Sequence, residues 1–247
     1  MNLRAIVIWG IAIIVLLSAL GYLYLQTKVV PPLPEGVSTE VEVNPETEVT
    51  DIPMNKLPEM PSLTRSIDEY SPSDDMRKSI QNTVATIRKT PNSFDDWILL
   101  GIYRKQIGDY AGALEAWEFA SKIRPEDAIP KNNIGMLYYL HTKEYAKAEE
   151  ILLATTKTHP HYTATFQNLY ELYHYAYKQG TGADEQILLA GIKENPKGLE
   201  LIMLLASFYD ETGKTADAKK TYTTALEIAT ELQDEALIAY IQELLSK

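Results

Sequence analysis

Residues 94–127 read FDDWILLGIYRKQIGDYAGALEAWEFASKIRPED, and this stretch decides the fold. Trp97, Leu100 and Gly101 share one face of a first helix, and the turn Gly108-Asp109-Tyr110 breaks it. Ala113, Trp117 and Ala120 then recur at helical spacing in a second helix, which Pro125 must end, because proline supplies no N–H and clashes with the preceding turn. Small residues on both helices let the two lie close together, and the tryptophans fill the space beside them. The segment is therefore an antiparallel helix pair.

The same pattern continues outward. Pro91, Pro125, Pro160 and Pro196 recur at steps of 34, 35 and 36 residues. Small residues stand at Ala120, Thr155, Gly191 and Ala225, and large apolar ones at Trp117, Leu152, Leu188 and Tyr222. A fixed period of this size marks stacked helical repeats, since one helix pair cannot bury its apolar face alone. A second copy, about 128–162, carries Ile134, Gly135, Tyr138, Tyr145, Ala148 and Pro160, with one extra residue in its turn. The third, about 163–198, keeps Phe166, Leu169, Tyr173, Gly191 and Pro196, but has a longer turn through Gly180 and Gly182 and Asp184 in place of alanine. The fourth, about 199–231, restores Leu205, Ala206, Tyr209, Gly213, Ala218, Tyr222 and Ala225. Met76, Ile80, Val84 and Ile87 after Ser73 form a capping stripe over 74–91, and Ala236, Leu237, Tyr240, Ile241 and Leu244 form another over 234–246.

These columns resemble the tetratricopeptide repeat, with Arg104 standing where that family has tyrosine. The resemblance implies an all-α fold, a right-handed superhelix of stacked antiparallel helix pairs over 74–247, and a concave groove lined by the first helix of each pair. Its groove positions fall on Ile98, Ile102 and Lys105 in the first copy, on Ile129, Asn132, Asn133, Met136, Tyr139 and Leu140 in the second, and on Asn168, Glu171, His174 and Tyr175 in the third. Chaperone-binding members of the family hold a carboxylate with a Lys/Asn/Arg clamp. Here most of the corresponding positions are Ile98, Ile102, Ala164 and Asn168, and of the clamp only Asn133 matches, so no cation faces a carboxylate. The expected site is instead an apolar and aromatic trough of Ile98, Ile102, Met136, Tyr139 and Tyr175 that takes a hydrophobic or helical segment of a partner protein.

N-terminal to the repeats, residues 5–25 (AIVIWGIAIIVLLSALGYLYL) carry no charge, and a helix of this length spans a hydrocarbon core of about 30 Å. Residues 1–28 are read as a single transmembrane anchor. A cleaved signal peptide with its site near Ala19-Leu20-Gly21 is the competing reading, but the apolar run continues past that point. Arg4 before the run and the acids after it favour a cytoplasmic N-terminus in the cell membrane and an extracytoplasmic C-terminal domain. Residues 29–73 hold eight prolines among many Asp and Glu, a composition expected to form an extended, poorly ordered spacer.

A net charge of −11 with no basic cluster in the sequence argues against a nucleic-acid partner. The absence of cysteine excludes disulfides, thiolate metal sites and cysteine nucleophiles. His159-Pro160-His161 is a weak metal pair without a carboxylate beside it, and Gly180-Thr181-Gly182 is too short to cradle a phosphate. No enzyme, metal or cofactor is expected. The functional expectation is a membrane-anchored scaffold or assembly factor for a protein partner. The anchored architecture also looks like envelope chaperone-type proteins and cytochrome c maturation subunits. A metal-dependent hydrolase on a helical scaffold is the reading from a different class.

Overall fold

A computed structural model describes residues 51–246, and among these all regular secondary structure is helical. Ten helices follow in order: α1 (Asp74–Lys89), α2 (Phe94–Ile107), α3 (Tyr110–Ile123), α4 (Ile129–Leu137), α5 (Tyr145–Thr158), α6 (Thr163–Tyr175), α7 (Ala183–Glu194), α8 (Leu199–Glu211), α9 (Thr215–Glu231) and α10 (Glu235–Leu245). Their ends follow local chemistry. The Ser73 hydroxyl accepts the Met76 N–H at the start of α1, Asp109 accepts the Gly112 N–H for α3, and Asp234 accepts the Leu237 N–H for α10. Asp74 and Asp75 open α1 while Arg88 and Lys89 close it, which suits the helix dipole. Residues 124, 159 and 195, each followed by proline, leave the helical region and end α3, α5 and α7.

The helices α2–α3, α4–α5, α6–α7 and α8–α9 form four antiparallel pairs, with α1 and α10 covering the ends. Each helix packs on its sequence neighbours, and α4 also touches α6 while α6 touches α8. First helices therefore approach one another along the stack and line its inner side. The described residues form a helical solenoid of stacked antiparallel pairs.

Three buried clusters run along it. The first joins α1, α2 and α3 around Ile87, Trp97 and Phe119. The second is small, with Ala113, Trp117, Ile134 and Leu137 between the first two pairs. The third holds everything from Tyr139 to Ile241. Close helix approach depends on Gly101, where an added Cβ would lie 2.2 Å from the Trp117 indole nitrogen. Gly112 likewise gives room to a buried ion pair: Arg104, where the repeat pattern has tyrosine, bonds through Nη1 to Asp109 Oδ2 at 3.2 Å. Asp109 is fully buried and Arg104 is 2% exposed.

The segment 51–73 departs from the extended spacer expected over 29–73. It makes two short 3-10 turns, Met54–Lys56 and Asp68–Tyr70, and lies as a strap across the first pair. Ile67 is buried, and Ile52, Leu57 and Leu63 pack against the first cluster. Polar ties fix its course. Asp51 pairs with Arg124 and accepts the Phe94 N–H, the Asn92 side chain donates to the Ile52 carbonyl, and Arg65 pairs with Glu115. The strap's isoleucines and leucines outweigh the stiffness of its prolines, since fully burying one such side chain stabilises by about 1.5–3 kcal/mol. The apolar run at 5–25 and the rest of the spacer, 29–50, lie outside the described residues.

The extra residue of the second copy is absorbed by a π turn, Tyr138–Thr142, which closes α4 and ends in Lys143 at φ 60°. Among the described residues, no helix is long and apolar enough to cross a membrane.

Candidate partner-binding groove

Nine of the expected groove positions, Ile98, Ile102, Lys105, Asn132, Asn133, Met136, Tyr139, His174 and Tyr175, lie on first helices and the turn after α4, and the structure treats them differently. Ile98, Ile102, Lys105, Asn133 and Met136 are half-buried. Ile98 and Ile102 lean on the Trp117 cluster, and the Ile98 carbonyl accepts the Trp117 indole N–H at 3.2 Å. Tyr175 is 43% exposed on α6.

Three of the nine are not open groove residues. Asn132 is buried, and its Oδ1 accepts Thr165 Oγ1–H at 3.2 Å and Asn168 Nδ2–H at 2.8 Å. It ties α4 to α6 and has no capacity left at that oxygen for a ligand. Tyr139 is buried with its hydroxyl donating to the Glu171 carbonyl at 3.3 Å, and burial pushes its phenol up to about 12. The π turn accounts for this: its wider winding rotates the side chains beyond Leu137, sending Tyr139 into the third cluster and leaving Leu140 44% exposed. His174 bonds through Nδ1 to Asp184 Oδ2 at 3.0 Å, lies 3.7 Å from Glu211 and stacks on Tyr170. It links α6, α7 and α8. Asp184, the departure from alanine in the third copy, is what holds it.

The open part of this face is therefore Ile98, Ile102 and Met136, half-covered, with Ile129, Leu140 and Tyr175 exposed at 37%, 44% and 43%. Burial also raises the Glu171 carboxyl above its usual range. Of the weak metal pair, His159 makes ordinary contacts: its Nε2 lies 2.8 Å from the Glu126 carbonyl and its Nδ1 lies 2.7 Å from the Thr158 hydroxyl. Among the described residues no group of three or more His, Asp or Glu is placed to hold a metal ion.

A periodic contact escaped the sequence reading. Tyr173 donates to Glu149 Oε1 at 2.7 Å, and Lys178 pairs with the same carboxylate, joining α5 to α6. Tyr209 and Lys214 repeat the arrangement on Glu185, at 3.0 and 2.6 Å, joining α7 to α8. The tyrosine offset is 24 residues in both clips and the lysine offset 29. That shared offset was a readable signal, but only once the helix pairs were aligned. The same offset from Tyr138 falls on Leu114, so the junction of the first two pairs has no clip.

No protein-family model matches the chain, and no curated protein matches it. Among solved structures, similarity is found to the crystal structure of MamA, with a TM-score of 0.47 and 17% identity over 69% of this chain and 98% of that one. MamA 41-end from Desulfovibrio magneticus RS-1 gives a TM-score of 0.45 and 15% identity over 70% of this chain and 99% of that one. At these scores and identities the likeness carries no inference about what this chain binds.

Proposed function

We propose that this chain is a membrane-anchored scaffold whose solenoid captures an apolar or helical segment of a partner protein, and that it has no catalytic role. The anchor is the uncharged run 5–25, with the N-terminus cytoplasmic and the solenoid on the other side of the cell membrane. The observation that carries the reading is the row of uncovered apolar side chains on first helices: Ile129, Leu140 and Tyr175 exposed, Met136 and Ile102 half-covered beside them. Apolar surface of this kind, on a face without a cation clamp, suits an amphipathic helix or hydrophobic strand. Tethering to a membrane raises the local concentration of a membrane-bound partner and so supports a weak groove.

The test is photo-crosslinking in intact membranes, with a photoreactive residue placed at Leu140 and, as a control, at Leu189 on α7. Crosslinks to one protein from Leu140, none from Leu189, and their loss in Met136→Glu combined with Tyr175→Ala are the expected results. Identical crosslinks in a folded double variant would move the binding surface elsewhere.

A further inference from the structure

The strap, α1 and α2 line an open cavity of about 290 Å³ whose charge is opposite to that of the protein. In a chain of net charge −11, four arginines line it, Arg65, Arg77, Arg88 and Arg104, against one lining carboxylate, Asp68. Each guanidinium has a different supply of acceptors. Arg77 bonds Asp68 at 2.5 Å, and Arg65 is held by Glu115 with Asp109 at 3.8 Å. Arg88, exposed at the mouth, makes no ion pair among the described residues. Arg104, in the floor and 2% exposed, has Asp109 on Nη1, but its Nε is buried with no hydrogen-bond acceptor.

Asp68, Asp109 and Glu115 together leave one of the four positive charges uncompensated. Buried donors are normally satisfied, and a buried cation next to another cation is costly. Burial, and next the charge of Arg65 among the factors acting in that direction, weakens the hold of Arg104 on its proton. An anion in the cavity relieves both. Arginine forks match tetrahedral oxyanions closely, and the space is large enough for a small ion with part of its hydration shell.

We infer that this cavity binds a tetrahedral oxyanion of the phosphate class, with Arg104 donating from the floor and Arg88 supplying charge at the mouth. Such an anion, free or as the headgroup of a phosphatidic-acid lipid, would lock the strap onto the first helix pair.

The experiment is calorimetric unfolding of the full-length chain in detergent, with inorganic phosphate against chloride at matched ionic strength. A second arm adds phosphatidic acid to the micelles. A saturable rise of the unfolding temperature with inorganic phosphate is expected. Arg88→Gln should weaken the apparent affinity roughly tenfold, read as the phosphate-dependent rise above that variant's own unfolding temperature in chloride. Asp68→Asn should tighten it, because a competing carboxylate is gone. A rise with phosphatidic acid but none with free phosphate, again lost in R88Q, assigns the oxyanion to a headgroup. Equal unfolding temperatures in all three media, or an unchanged response in R88Q, would overturn the inference.

Discussion

The junction between the first two helix pairs and the junctions that follow it are built differently. Beyond the second pair, one continuous cluster runs from Tyr139 to Ile241, and Tyr–Glu–Lys clips close both junctions. Before it, only Ala113, Trp117, Ile134 and Leu137 are buried across the contact, Leu114 occupies the position of the clip's glutamate, and a cleft of about 350 Å³ opens beside Tyr138 and Ile151. The first pair secures itself instead toward the N-terminus, through the strap and the Arg104–Asp109 pair. A repeat array is as cooperative as its weakest junction. Trp117 is the largest buried side chain of that junction, where the Tyr110 hydroxyl and His141 Nδ1 also lie 3.1 Å apart.

Trp117→Ala should have the largest effect, about 3–5 kcal/mol, since it removes the largest member of a four-residue contact and its bond to the Ile98 carbonyl. With Trp9→Phe added so that Trp97 is the one tryptophan left, urea unfolding followed by fluorescence reports the first pair and should separate from unfolding followed by circular dichroism. Coincident transitions in this variant would show that the junction is not the weak point.

Alkali should break the contrast from the other side. Burial raises the phenols of Tyr139, Tyr209 and Tyr222 to about 12, and Tyr170 and Tyr173 are pushed higher still. Below pH about 10 tyrosine is protonated in both states and this stability is complete. Above it the unfolded chain loses protons that the folded one keeps, so stability falls as pH climbs toward about 12. Helix content should therefore drop in this window before Trp97 and Trp117 become exposed. Simultaneous loss would contradict the division.

The smallest effect is expected from the clips. Glu185→Gln keeps an acceptor for Tyr209 and loses the Lys214 pair; with Lys214 42% and Glu185 27% exposed, the cost is about 1 kcal/mol or less. Glu149→Gln should cost somewhat more, because Glu149 is only 15% exposed. Neither should shift the fluorescence transition of the first pair. A shift there would mean that the junctions are coupled more tightly than the buried clusters imply.

Much of this was legible in the chain itself. The proline period, the alternation of small and large residues, and caps such as Ser73 and Asp234 depend on residues within a few positions of one another, so the helical repeat follows from local pattern. The groove was legible only in outline: Ile98, Ile102, Met136 and Tyr175 stay accessible, whereas Asn132, Tyr139 and His174 are taken up by contacts between repeats. Which side of a first helix faces its neighbour depends on how the pairs stack and on the π turn after Leu137, and helical spacing carries neither. The strap lay further from view. Its proline-rich, acidic composition reads as a spacer, yet it is held by partners such as Arg124, 73 residues from Asp51, which only the assembled first pair brings within reach. The four arginines of the cavity likewise come from the strap, α1 and α2, and no spacing in the sequence unites them. Local sequence determined the helices and their repeat, while tertiary structure decided which side chains remained free to bind, because burial belongs to the stack and not to any one helix.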